Sequence, residues 1–236
     1  MTEGFGMRSS SLLFFTAATG PYLPFFPLYT YFAHSSNPGA CFEFIVDDPV
    51  SAEIAYGPTL AFLRESCGIE IVLRSAEPYA KKLLIDNSLR FVLTPTLKTD
   101  LVYIGDIDIL IIEDVRAAHS RIFEAGLPYS NIIRPGTKRL TGLHFTRYDA
   151  YYPIPDIEDI IFTRINDEEL LYQIVKRSGH LERQSEIDAT KMGRPTHGIH
   201  MSLNRIPFTD TSERPDWGIS WNRALQTNKV VARNDF

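Results

Sequence analysis

Apolar and polar positions along this chain alternate between two periodicities. Short runs dominated by β-branched and aromatic residues, at 11–17, Cys41–Val46 and 69–73, read as buried strands. Longer segments with apolar residues at helical spacing lie between them. One begins near Pro24, carries Phe25, Leu28, Tyr29 and Phe32, and stops at Asn37-Pro38-Gly39. A second spans 52–67, with Leu60, Phe62 and Leu63 on its apolar side. A third, 80–91, is amphipathic, and the pattern turns Lys81, Lys82 and Arg90 outward. Residues 18–22 form a loop, and 129–133 a further strand or loop. Late in the chain Asn166-Asp167-Glu168-Glu169 caps an apolar helix (Leu170, Leu171, Ile174, Val175) that ends at Ser178-Gly179. Strands alternating with helices predict an α/β fold with a mostly parallel, doubly wound central sheet flanked by helices, Rossmann-like in style.

One run departs from the simple pattern. Residues 100–111 read as a fourth strand, yet Gly105 and two carboxylates, Asp106 and Asp108, interrupt its apolar sequence. Burying an unpaired charge costs several kcal/mol, roughly, so these carboxylates belong at an accessible strand end rather than deep in the core. Residues two apart on a strand face the same way, so both could reach one object. A hard divalent cation with substrate phosphates suits an all-oxygen pair. The carboxyl end of a strand in a parallel sheet is also where such folds bind ligands.

Composition narrows the choices. The chain has 236 residues, 44% hydrophobic and 22% charged, ordinary values for a globular protein with a sizeable core. A net charge of −5 with no basic tract argues against a nucleic-acid partner. Cys41 and Cys67 form neither a disulfide framework nor a CxxC motif, and fit a reducing compartment as small core residues. From Ser9 to Phe42 no Asp, Glu, Lys or Arg occurs, but Pro21, Pro24 and Pro27 break the apolar stretch, against a signal peptide or membrane span. The expected location is cytoplasmic, peripheral to a membrane where the acceptor is lipid-linked.

The Asp106-Ile107-Asp108 element at a strand end resembles the DXD motif of nucleotide-sugar glycosyltransferases of the GT-A fold. Within them the chain is most similar to family 8, the group of glycogenin and the bacterial lipopolysaccharide galactosyltransferases. The first strand and helix, the small-Gly-apolar element Leu140-Thr141-Gly142-Leu143-His144-Phe145, and the late Thr196-His197-Gly198-Ile199-His200 segment carry the rest of the likeness, over residues 10–205. The resemblance implies a GT-A-like catalytic domain at 11–206, after a flexible 1–10 and before a tail, 207–236, packed on the domain or a partner. It implies Mn2+ or Mg2+ held by Asp106 and Asp108 with His197 or His200. It further implies a UDP-sugar donor contacted by Ala17, Ala18, Thr19 and Gly142, a glycan or lipid-linked acceptor, and retention of anomeric configuration.

Other residues fit that chemistry. The basic stretch 134–139 offers Lys138 and Arg139 to the diphosphate, as do Lys191, Arg194 and Arg205 near the histidine segment. The aromatic tract 148–152 suits sugar stacking and, equally, a place in the core, and Asp167 and Asp188 are candidate carboxylates facing the sugar. Two alternatives stand beside the transferase. A nucleotidyltransferase on a related sheet would bring a basic, Gly-rich loop after the first strand, where this chain has Ala18-Thr19-Gly20-Pro21-Tyr22. A non-catalytic carbohydrate-binding protein would keep the sheet without the reaction. The family's Lys-Pro-Trp ending is not reproduced here.

Overall fold

The computed structural model describes residues 11–77, 86–161, 165–190 and 197–201. Lys81, Lys82, Lys191, Arg194, Arg205, residues 1–10 and the 207–236 tail lie outside this set. The fold is α/β, with one mostly parallel central sheet covered by helices on both faces. Strands β1 (Leu12–Ala17), β2 (Cys41–Val46), β3 (Ile71–Ser75) and β4 (Leu101–Ile104) run parallel in the order β3-β2-β1-β4. Later in the chain β6 (Tyr129–Ser130) and β7 (His144–Arg147) extend the β4 edge, with β7 antiparallel to both neighbours. A second, two-stranded sheet pairs β5 (Ile109–Ile111) with β8 (Gly198–His200).

Both faces of the large sheet are buried, because successive side chains on a strand point to opposite sides. On one face Leu12, Phe14, Phe42, Phe44 and Tyr103 meet helices α1 (Phe26–Ser36) and α2 (Pro49–Ala61) through Phe26, Tyr29, Ala33, Ala52 and Leu60. Phe14 stacks on Phe42 across strands, with ring centroids 5.2 Å apart. On the other face Leu13, Phe15, Ile45, Val102 and Ile104 pack against α3 (Leu89–Val92), α4 (Val115–Glu124) and α5 (Tyr148–Tyr151). The same core continues into α7 (Asp167–Arg177) and α8 (Gln184–Thr190), and the one-turn α6 (Glu158–Ile161) precedes α7. Cys41 is buried, which pushes its thiol up to about 11, as expected of an inert core residue.

Two expectations need correction. The fourth strand does not run on through the carboxylates: the chain turns at Ile107-Asp108 and re-enters as β5, in the small sheet. The third helix is, among the described residues, a single turn of 3-10 helix and the four-residue α3, and Arg90 in it is completely buried rather than outward-facing. α3 is wedged between β1 and α7, so it has no outer face. In the tract 148–152, Tyr151 and Tyr152 are core residues, and the Tyr151 hydroxyl donates to the Phe91 carbonyl. α4 was not anticipated, although Asp114 caps it through the amides of Arg116 and Ala117.

The sheet also holds a buried charge. Glu43 on β2 has no exposed surface, and its carboxylate accepts from the amides of Thr96 and Leu97, the Thr96 hydroxyl and Arg74 Nη1. These donors fix the loop between α3 and β4 against the middle of the sheet. Glu43→Gln puts an amide among groups that are all donors, so it is expected to destabilise the fold by ~2–4 kcal/mol. A urea midpoint equal to that of the wild type would remove Glu43 from this role.

Candidate active site

The sheet order places a topological switch point between β1 and β4: the chain winds outward from β1 through β2 to β3 on one side and begins β4 on the other. The carboxyl ends of these two strands therefore border a natural crevice. Ala17, Ala18 and Thr19 leave β1 there, and Gly105 to Asp108 leave β4. The two ends are joined, since the Thr16 hydroxyl donates to the Gly105 carbonyl at 2.7 Å. The Ala18 amide donates to Ile45 and the Gly20 amide to the Asp47 carboxylate, so the 18–22 loop is held to the end of β2.

Asp106 and Asp108 face different partners. Asp106 meets Arg90 Nη2 at 2.9 Å and accepts from Asn87 Nδ2 at 2.8 Å. Asp108, with 6% of its surface exposed, lies 3.2 Å from His200 Nε2. The expectation that both carboxylates share one strand face is thus replaced by a turn, closed by the Ile109 amide on the Asp106 carbonyl. Arg90 Nη2 also reaches Asp167 at 3.2 Å and the Gly142 carbonyl at 3.3 Å, while Nη1 donates to the Asn87 carbonyl at 2.5 Å. A single guanidinium nitrogen therefore serves a carboxylate from the end of β4 and another from the start of α7. Arg90 Nε has no hydrogen-bond partner among the described residues, an unusual state for a buried donor.

Gly142 belongs to this cluster: a Cβ there would stand 3.1 Å from Arg90 Nη2 and 3.5 Å from Asp106 Oδ2. Of the two late histidines, only His200 meets Asp108. His197 points its Nδ1 at the Tyr103 hydroxyl (3.0 Å) and its Nε2 at His119 Nε2 (2.6 Å). Burial raises the hydroxyl pKa of Tyr103, and of Tyr29 on the same face of the sheet, far above the ordinary phenol range, so both stay neutral. Lys138 and Arg139 lie on an exposed turn closed by the Ile133–Leu140 bridge, where Arg134 pairs with Glu168 instead. Asp188 accepts from Gln184 Nε2 at 2.8 Å, on α8.

Among the described residues no group of three or more His, Cys, Asp and Glu is gathered in a way that could hold a metal alone. Asp108 with His200 offers one oxygen and one nitrogen side by side, a mixed set compatible with manganese or magnesium. Magnesium-type sites commonly use one or two carboxylates and complete the shell with water and substrate phosphates. The residues present fit a metal on those terms.

Sequence reasoning missed Arg90, Asn87 and His119. Arg90 stands in Leu89-Arg90-Phe91-Val92-Leu93, and a lone cation with apolar neighbours on both sides was the available signal. His119 shares a helix face with Val115 and Ile122, four residues after one and three before the other.

The fold and site together define an α/β domain with an acidic, arginine-braced crevice at its sheet's switch point. No family model and no curated protein matches the chain. Among solved structures it is similar to the glycosyltransferase GlyE of Streptococcus pneumoniae TIGR4, with 10% sequence identity and a TM-score of 0.47. That similarity covers 86% of this chain, which spans 57% of the length of that neighbour. No helix among the described residues is long and apolar enough to cross a membrane.

Arg90→Met keeps the length of the side chain but leaves Asp106 and Asp167 without their cation. Removing one partner of a buried pair costs ~3–5 kcal/mol, so a drop in urea-unfolding stability of that order is expected. A variant as stable as the wild type would mean that Arg90 is not the brace of the site.

Proposed function

We propose that this protein is a metal-dependent glycosyltransferase that moves a sugar from a nucleotide-sugar donor, a UDP-sugar on the family resemblance, to a hydroxyl of a glycan or lipid-linked acceptor. One observation carries the reading: Asp106 and Asp108 leave β4 at the switch point of the sheet, one braced by Arg90 and the other faced by His200.

The charge balance supports a metal in this reaction. Asp106 and Asp167 share the single guanidinium of Arg90, and Asp108 adds a third carboxylate on the same turn, faced by His200. An anionic diphosphate entering alone would meet an excess of negative charge, whereas a divalent cation reverses the sign of the crevice. Asp108 and His200 would hold the ion, with Asp106 beside it. A divalent ion there would act as a Lewis acid on the departing diphosphate.

The chain's own residues have distinct tasks in this reading. The backbone of Ala17, Ala18 and Thr19 receives the nucleoside at the end of β1. Arg90 fixes the rotamers of Asp106 and Asp167 before the donor arrives, so little reorganisation accompanies binding. Asp167, which shares Arg90 Nη2 with Asp106, is the carboxylate available to the donor sugar's hydroxyls. Gly142 lets its chain segment lie against both Arg90 and Asp106. A nucleotidyltransferase has less support, because the 18–22 loop carries no Lys or Arg for a triphosphate.

A thermal-shift screen of UDP-, GDP-, ADP- and CMP-sugars, with manganese or with EDTA, tests the proposal. A ligand at a hundredfold excess over its Kd stabilises the folded state by ~2.7 kcal/mol. The expected result is a shift with UDP-sugars that requires the metal and disappears in Asp108→Ala. No shift with any donor would sink the transferase reading.

A further inference from the structure

A chain of buried hydrogen bonds outside the carboxylate cluster runs Ser130–His119–His197–Tyr103. His119 Nδ1 meets the Ser130 hydroxyl at 2.8 Å, the two Nε2 atoms face each other at 2.6 Å, and His197 Nδ1 meets the Tyr103 hydroxyl at 3.0 Å. Two imidazole nitrogens so placed must share one proton, one ring donating and the other accepting. The hydroxyls at the two ends can donate or accept, so either direction of the shared bond can be completed at both ends. Both histidines are buried, with 6% of their surface exposed.

What this array holds is β8. His197 immediately precedes that strand, whose three residues are all only half-buried and, among the described residues, pair with the three residues of β5. So short a two-stranded pairing is marginal on its own. The anchorage is concentrated at His197: its carbonyl accepts from the amides of Ile112 and Glu113, and its amide donates to Glu113 Oε2. It does so with φ at +56°, in the left-handed region where a residue with a side chain is uncommon. Three residues further on, His200 faces Asp108, and the Met201 amide donates to the Asp108 carbonyl.

We propose that His119 is a positioning residue for the diphosphate site. Through its contact with His197 it locks β8 onto β5 and so holds His200 against Asp108. The functional consequence rests on the transferase reading, but the lock itself is a property of the protein without ligand. His119 reaches the site through His197 and the strand that follows it. The alternative is that His119 merely fills space beside Phe145, whose ring lies 5.2 Å away.

Histidine-selective 15N NMR of the full-length, metal-free protein distinguishes the two. Gly198→Ala provides the detached reference, because a Cβ at that position would stand 1.8 Å from the Leu110 carbonyl oxygen and force β8 off β5. His119→Phe keeps an aromatic ring but makes neither hydrogen bond. It is expected to move the His200 Nε2 resonance to the position seen in Gly198→Ala. His119→Gln retains an amide able to bond His197 and is expected to leave that resonance near wild type. With UDP present, the Mn2+ affinity read by EPR should be about tenfold weaker in His119→Phe than in wild type, the usual effect of losing an outer support of a metal ligand, and recover in His119→Gln.

An unmoved His200 resonance in His119→Phe, or a Gln variant displaced as far as Phe, overturns the proposal. If His119→Phe does not fold, Ser130→Ala removes the outer bond of His119, and absence of any shift toward the Gly198→Ala position is equally decisive. If wild type binds no Mn2+ with UDP, the transferase reading fails and the NMR result still judges the lock.

Discussion

The buried guanidinium of Arg90 is the interaction around which the site is arranged. A fully desolvated cation is tolerable only with carboxylates and carbonyls in place to receive it, and here they come from four stretches of chain. Asn87 precedes α3, Asp106 ends β4, Gly142 precedes β7 and Asp167 begins α7. None of these is near another in sequence except Asn87 and Arg90 themselves. Once α3 is wedged between β1 and α7, the other segments must converge on it or leave a charge unpaired. The same convergence presents Asp106 and Asp167 at the crevice in fixed orientations, which is what electrostatic catalysis requires of its charged groups.

The second carboxylate depends on a different constraint. Asp108 belongs to the turn into β5, and its partner His200 arrives from more than ninety residues away on β8. The small sheet is too short to secure that meeting by backbone pairing alone, and the Tyr103–His197–His119–Ser130 array ties it to the large sheet and to α4. A central strand residue, Tyr103, thus contributes to the candidate site by gripping a late segment. Glu43 does comparable work on the other face, where its buried carboxylate gathers the loop that follows α3.

Much of this was legible in the chain. The parallel strands, the helix after β1, the capped helix α7 and the placement of an acidic pair at the end of β4 all follow from local periodicity, caps and breakers, which neighbouring residues determine. Arg90 was misjudged because helical periodicity assigns an arginine to the solvent side, whereas α3 is a single turn with no solvent side. For Tyr151 and Tyr152 the sequence left two readings open, because aromatic residues suit sugar surfaces and protein cores equally, and only packing against Phe91 and its neighbours decides for the core.

The sequence by itself determined the fold class, the strand that delivers the carboxylates and the residue types of the candidate site. It did so because burial patterns and turn chemistry act over a few residues. Tertiary structure alone decided that Asp106 answers to Arg90 and Asn87 while Asp108 answers to His200. It also decided that His197 is turned inward to His119 and Tyr103. Those choices depend on contacts between segments 16 to 94 positions apart, such as Arg90 with Asp106 and Tyr103 with His197, and no local pattern encodes which distant partner a side chain will meet.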